Sequence, residues 1–206
     1  MRSDYVKRSV FEKIYSVLQY ENQLAVRLSV ETGARIGDVV ALRSENLIKN
    51  TIVYNASKTG KRDKKVISKD LAERLRRNAS GGYIFPSKTA AAGHRTRQAV
   101  WADIKKAVDV LGLKGNISPH SARKTYAVED YHKNGINQAQ KDLQHSRLDT
   151  TLLYVLSDQF GSAPPPTQSR GACEKCCFDC DAFTEKVAQA LAEKLILLFK
   201  DCKKIN

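Results

Sequence analysis

Apolar side chains recur at helical spacing from the start of the chain. Val6, Val10, Phe11, Ile14, Tyr15 and Leu18 are interleaved with Lys7, Arg8, Glu12 and Lys13, so residues 4–18 are expected to form an amphipathic helix. A second helix over 21–31 presents Leu24, Ala25, Leu28 and Val30, and Gly33 is placed to stop it. Ile36, Val39, Val40 and Leu42 can open a short third helix, which sets Arg35 at a helix junction facing a cleft. The run Thr51-Ile52-Val53-Tyr54-Asn55 is β-branched and aromatic, and Lys65-Val66-Ile67-Ser68 reads as a second short strand. The polar, Gly-containing stretch 57–64 between them predicts a β-hairpin with a strongly basic tip.

Ser68 can cap a helix through Leu71, Leu75 and Asn78, ended by the Ser80-Gly81-Gly82 turn. A polar loop then starts at Tyr83-Ile84-Phe85-Pro86 and takes in Lys88, Arg95 and Arg97. Ala99, Val100, Ile104, Ala107, Val108 and Leu111 predict another helix, stopped by Gly112. Ser118-Pro119 is a helix start, because Pro is tolerated in the first turn where its missing N–H would have no partner. That helix runs to Asn134-Gly135; a short helix follows over 136–143, a turn over 144–149 and a last short helix over 150–156. The expected fold is mainly α with a small antiparallel β-sheet, an α+β class.

Past residue 160 the pattern changes. Gly161-Ser162-Ala163-Pro164-Pro165-Pro166-Thr167 contains three consecutive prolines, which hold an extended spacer and cannot continue a helix. Beyond it Phe183, Val187, Leu191, Leu195 and Leu198 mark one side of a tail helix suited to docking or dimerisation. All five Cys lie in this tail, so the core is not disulfide-stapled. Cys173, Cys176, Cys177 and Cys180 stand at zinc-ligand spacing, and the same i, i+3, i+4, i+7 offsets are also simply one face of a helix. A structural zinc and a set of buried thiols are both open readings.

Charge narrows the partner. The 206 residues carry a net charge of +13, and residues 1–158 hold 28 basic against 16 acidic side chains. A polyanion is the natural partner of that part of the chain. No apolar run is long enough to span a bilayer and the first residues lack a signal-peptide core, so a soluble cytoplasmic protein without membrane partners is expected.

The candidate chemistry lies in Pro119-His120-Ser121-Ala122-Arg123-Lys124-Thr125-Tyr126-Ala127 and in Leu143-Gln144-His145-Ser146-Arg147, with Tyr154 nine residues after His145. Together these supply cationic and hydrogen-bonding groups and one oxygen nucleophile. A phosphodiester resists attack because its non-bridging oxygens repel the nucleophile and its alkoxide leaves poorly. Arg guanidinium can hold two oxygens of a pentacoordinate phosphorane in fixed geometry. A Lys ammonium can protonate the departing oxygen, and Tyr can form a covalent phosphodiester that conserves the energy of the broken bond.

These motifs resemble the signature of the tyrosine recombinases, the phage-integrase family, with a lambda-integrase-like form in the hairpin. Arg35 in Thr-Gly-Ala-Arg-Ile-Gly-Asp matches the family's first Arg, and Asp38 takes the place of its supporting acidic residue. Lys58 in Ser-Lys-Thr-Gly matches the hairpin Lys, His120 and Arg123 the H-x-x-R pair, His145 the second His, and Tyr154 the nucleophile. The resemblance covers roughly residues 10–158 and implies a catalytic domain over 1–160, to which the chain's own pattern adds a linker over 161–170 and a Cys-containing tail over 171–206. The resemblance also implies cleavage and rejoining of DNA, as in phage integration and the movement of genetic elements, through a phosphotyrosyl intermediate and without a cofactor for catalysis. The expected partner is double-stranded DNA, contacted by Lys61, Arg62, Lys64, Lys65, Arg95 and Arg97, with the protein expected to act as a homo-oligomer.

Three departures stand out. Gln144 replaces the usual Gly before His145, Ala122 replaces a commonly Leu position, and Val155-Leu156-Ser157 lacks the His often found two residues after the Tyr. The helical core-binding domain that precedes the family's catalytic domain is not seen ahead of residue 10, which leads to an expectation of weak DNA binding or of an accessory protein that supplies the clamp. Two other functions use overlapping equipment: a type IB topoisomerase-like nicking and closing enzyme, and a non-catalytic DNA-binding module. The six motif positions in order disfavour the module, and Ser-Lys-Thr-Gly favours the recombinase over the topoisomerase.

Overall fold

Helix α2, Tyr20–Thr32, is buried on most of its circumference, with Leu24, Ala25, Val26, Leu28 and Val30 at or near zero exposure. A helix buried on so many sides must be surrounded, and α2 packs against α1 (Arg8–Tyr15), α3 (Ile36–Val40), α4 (Lys69–Asn78), α5 (Arg97–Val110) and α6 (Pro119–Asn134). A last short helix, α7 (Ile136–Asp142), packs on α6. The computed structural model describes residues 3–87 and 93–143. The chain divides into two units, Met1–Ala163 and Pro164–Asn206, and the described residues all fall in the first. The predicted 150–156 helix, the linker and the tail lie outside the described residues.

Three antiparallel strands, β1 (Leu47–Ile48), β2 (Thr51–Asn55) and β3 (Arg62–Val66), form one sheet in the order β1-β2-β3. The mainly α architecture with a small antiparallel sheet agrees with the sequence. The second strand of the hairpin differs from its predicted span of 65–68. The ladder extends toward the tip, pairing Asn55 with Arg62 and Thr51 with Val66. The charged run 62–64 is therefore strand rather than loop. Strand pleating then alternates its side chains, so Arg62, Lys64 and Val66 point to solvent while Lys65 is buried.

Helix α1 starts at Arg8 instead of residue 4. The segment before it is extended because its polar groups find partners elsewhere. The Asp4 N–H donates to the Asn116 carbonyl at 3.0 Å, the Asp4 carboxylate accepts from the Asn116 N–H at 2.6 Å, and the Thr125 hydroxyl donates to the Val6 carbonyl at 2.6 Å. The caps expected at Ser68 and Ser118 are present. The Ser68 hydroxyl accepts from the Leu71 N–H, and Ser118 forms a reciprocal capping pair with Ser121 ahead of Pro119.

Candidate active site

The turn between α2 and α3 is fixed by its own sequence. Gly33 adopts a left-handed conformation with φ 69° and ends α2, and a Cβ there would collide with the Tyr126 ring on α6. The Thr32 hydroxyl donates to the Leu28 carbonyl at 2.7 Å and accepts from the Ala34 N–H at 3.2 Å. The buried Ser29 hydroxyl donates to the Ala34 carbonyl at 2.8 Å. The N–H and carbonyl of both Gly33 and Ala34 thus have partners, and Arg35 leaves the bend at the N-cap of α3 in an extended conformation.

Asp38, one turn along α3, is buried. One carboxylate oxygen accepts the Ser57 N–H at 3.2 Å, and the other lies 3.9 Å from the Arg35 guanidinium and has no hydrogen-bond partner. This carboxylate joins α3 to the base of the hairpin next to Lys58. It holds two motif positions in relation to each other, which gives its supporting place in the motif a physical content. Lys58 itself is exposed in the turn between β2 and β3.

On the first turn of α6, His120 and Arg123 stand three residues apart and face α3. Arg123 is only 5% exposed, and its guanidinium donates to the carbonyls of Gly33 and Leu143. Burial of so large a cation is tolerable because its donors are met by carbonyls and its charge faces a wet cleft. His120 reaches the solvent at the cleft rim. The protein around it, and then Lys124, Arg123 and Arg35, push its imidazolium down from 6.5 to about 4. At neutral pH it is therefore an uncharged ring that can donate one hydrogen bond and accept another.

These side chains enclose a cavity of about 220 Å³ lined by Arg35, Asp38, Ser57, Arg97, His120 and Arg123, together with Ile36, Gly37 and Pro119. Arg97 enters from the first position of α5, where the Thr96 hydroxyl caps the helix by accepting the Ala99 N–H at 3.2 Å. Three guanidinium groups and a neutral imidazole thus converge on one space large enough for a phosphodiester. Ser57 was not legible as a wall of this space, since its contribution is a backbone N–H that any residue carries.

Of the six motif positions, the structure brings Arg35, His120 and Arg123 together and sets Lys58 one residue beyond the cavity wall. His145 and Tyr154 lie outside the described residues, as do Cys173, Cys176, Cys177 and Cys180. Among the described residues, no group of three or more His, Cys, Asp or Glu is arranged to hold a metal ion, and no helix is long and apolar enough to cross a membrane.

The six residues expected to contact DNA divide into two sets. Lys61, Arg62, Lys64 and Arg97 are exposed. Lys65 and Arg95 are buried at 8% and 7% exposure and are satisfied inside the fold. Arg95 donates to the Asn22 side chain at 2.5 Å and to Gln19 at 2.7 Å, and the Lys65 ammonium donates to the Asp142 carbonyl at 2.8 Å. Neither side chain is exposed.

The sequence profile of the phage integrase family matches residues 4–159. The chain belongs to this family. It is 26% identical over 152 residues to the integrase of Escherichia phage P2, an alignment covering 73% of this chain and 42% of that protein. It is 25% identical over 156 residues to the tyrosine recombinase XerD of Corynebacterium glutamicum, covering 69% and 50% respectively. The chain spans about half the length of these curated relatives. The fold matches a lambda integrase dimer bound to a COC′ core site with a TM-score of 0.66 at 20% identity, over 81% of this chain and 51% of that one. It also matches the lambda integrase catalytic core with a TM-score of 0.60 at 21% identity, over 71% and 93%. The integrase family's catalytic-core fold is thus the fold of the described residues.

Proposed function

We propose that this chain carries the catalytic unit of a site-specific DNA recombinase that cleaves and rejoins strands through a covalent bond to Tyr154. The observation that carries the reading is the convergence of Arg35, Arg123 and neutral His120 on one cavity with Lys58 at its edge, in a member of the integrase family. In the cleavage step the Tyr154 hydroxyl gives up its proton to solvent and its oxygen attacks the scissile phosphorus. Arg35 and Arg123 hold the non-bridging oxygens as negative charge builds on the phosphorane. His120, uncharged at neutral pH, orients one of those oxygens by a hydrogen bond, and His145 adds a second contact. Lys58 delivers a proton to the departing 5′ oxygen, leaving a 3′-phosphotyrosyl bond and a free 5′ hydroxyl. Rejoining reverses the step with a 5′ hydroxyl from the same or another strand, so no cofactor is consumed.

Double-stranded DNA is the substrate, approached over the exposed Lys61, Arg62, Lys64 and Arg97. Strand exchange requires several copies on paired sites. Lambda integrase, whose core this fold shares, has been solved as a dimer on a core site and as a tetramer on a Holliday junction.

The test is incubation with a nicked suicide duplex, from which a short fragment escapes after cleavage and traps the adduct. A covalent protein–DNA band should form with the wild-type chain and vanish in Tyr154→Phe, while Tyr154→Phe retains DNA binding. An adduct that persists in Tyr154→Phe contradicts the assignment.

A further inference from the structure

Lys65 and its neighbour Lys64 look interchangeable in the sequence, yet the strand pleat sends them to opposite sides of the sheet. Lys64 is exposed, whereas Lys65 enters the space between β3, α6 and the end of α7. There its ammonium donates to the Asp142 carbonyl at 2.8 Å and to the Asp142 carboxylate at 3.3 Å, lies 4.0 Å from Asp63 on its own strand, and sits 5.6 Å from the centre of the Tyr126 ring. Asp63 is in turn held by the Tyr54 hydroxyl of β2 at 3.1 Å. The other edge of the Tyr126 ring lies against Gly33, in the turn that aims Arg35.

The C-terminus of a helix presents carbonyls without intrahelical partners and favours cations. At the end of α7 two adjacent carbonyls are taken by cations from different elements. Lys65 of the hairpin binds that of Asp142, and Arg123 of the cleft binds that of Leu143. The chain reaches His145 two residues later. We infer that Lys65 is a positioning residue, a clasp that registers the hairpin bearing Lys58 and the end of α7 leading to His145 against the Tyr126–Gly33 wall of the cleft. This inference rests on the proposed recombinase reaction for its kinetic consequence, though not for its structural one. When Arg123 engages a phosphate, Lys65 is the second cation that keeps the end of α7 in place.

The clasp makes a prediction that a DNA-contacting lysine does not. Lys65→Met in the full chain should slow single-turnover adduct formation on the suicide duplex at saturating DNA, by roughly ten- to a hundredfold, because small misplacements of catalytic groups have effects of that size. Its DNA affinity and the salt dependence of that affinity should stay at wild-type values. Lys65→Arg, which keeps a cation on the same face, should recover most of the rate. Lys64→Met should instead lower the slope of log affinity against log salt by about one unit. Amide exchange without DNA provides an independent arm: Lys65→Met should expose amides over 139–143 to faster exchange while those of α2 are unchanged.

A Lys65→Met protein with a reduced salt slope and an unchanged saturating rate would overturn the inference, as would unaltered exchange over 139–143. If the wild-type chain forms no adduct, the proposed reaction fails and the exchange arm alone decides the clasp. Should Lys65→Met not fold, Lys65→Gln removes the ammonium from both Asp142 contacts while keeping a polar side chain in place; faster exchange confined to 139–143 would support the clasp, and unchanged exchange would overturn it.

Discussion

The cleft and the hairpin tip are both cationic, but they hold their charges in opposite ways. In the cleft Arg123 is buried and bonded to two backbone carbonyls, and Arg35 leaves a turn in which Thr32, Gly33 and Ala34 are all pinned. At the tip Lys58, Lys61, Arg62 and Lys64 project into solvent from a two-stranded extension. A preorganised charge does not have to rearrange as the transition state forms, which suits groups that must meet oxygens at fixed positions. A solvated lysine on a long stem suits the tracking of a backbone or the delivery of a proton. In the proposed reaction, this difference suits the cleft to the non-bridging oxygens, and the hairpin to the leaving oxygen and flanking phosphates.

Removing the most firmly held cation should break that division most severely. Arg123→Ala should reduce adduct formation by a factor on the order of a thousand, the upper range for loss of one preorganised donor group. It should also lower stability by about 1–3 kcal/mol for each buried carbonyl left without its donor. Arg123→Lys should recover little, because one ammonium cannot replace a planar fork that spans the Gly33 and Leu143 carbonyls. Single-turnover rates and urea midpoints report the two effects separately. A Lys variant with near wild-type cleavage would show that the charge alone matters.

His120 gives the cleft a pH signature. Its folded value is about 4 against an ordinary 6.5, owing to the surrounding protein and to Lys124, Arg123 and Arg35. Above pH 6.5 the ring is neutral in both the folded and unfolded chains and contributes nothing to the pH dependence. As pH falls from 6.5 toward 4 the unfolded chain takes up a proton that the folded one does not, so stability declines across that window. The urea midpoint of the wild type should therefore fall further between pH 7 and pH 4.5 than that of His120→Gln. Equal losses in the two proteins would remove the cationic crowding from the account.

The smallest effects belong to the hairpin surface. Single substitutions Lys61→Ala, Arg62→Ala and Lys64→Ala should each reduce the slope of log affinity against log salt by about one unit or less. Titrations at several salt concentrations measure this. A slope unchanged in all three would take the hairpin off the DNA.

Helix caps, the Gly33 stop and the basic hairpin were readable from the sequence because each depends on local residue chemistry. The start of α1 was not, because the partners that hold residues 4–6 extended, Asn116 and Thr125, are more than a hundred positions away. The depth of Lys65 and Arg95 was also hidden. Lys65 is expected in a strand and Arg95 in a polar loop, but residue type does not say which cation turns inward; for Lys65 the pairing register does, and for Arg95 the bonds to Asn22 and Gln19 do. In the site, Arg35, His120 and Arg123 were legible through their motifs, whereas Ser57 entered through a backbone N–H and so left no trace in residue type.

The division between cleft and hairpin is tested most directly by replacing the departing 5′ oxygen of the scissile phosphate with sulfur. A thiolate leaves without needing a proton, while the non-bridging oxygens are unchanged. Lys58→Ala should cleave the ordinary duplex about a hundredfold more slowly than wild type. On the sulfur-bridged duplex of the same sequence it should approach the wild-type single-turnover rate. Arg35→Ala and Arg123→Ala should stay defective on both substrates, because the charge they hold is still there. Equal defects of Lys58→Ala on oxygen and sulfur would contradict the account and reduce Lys58 to one more basic residue of the hairpin.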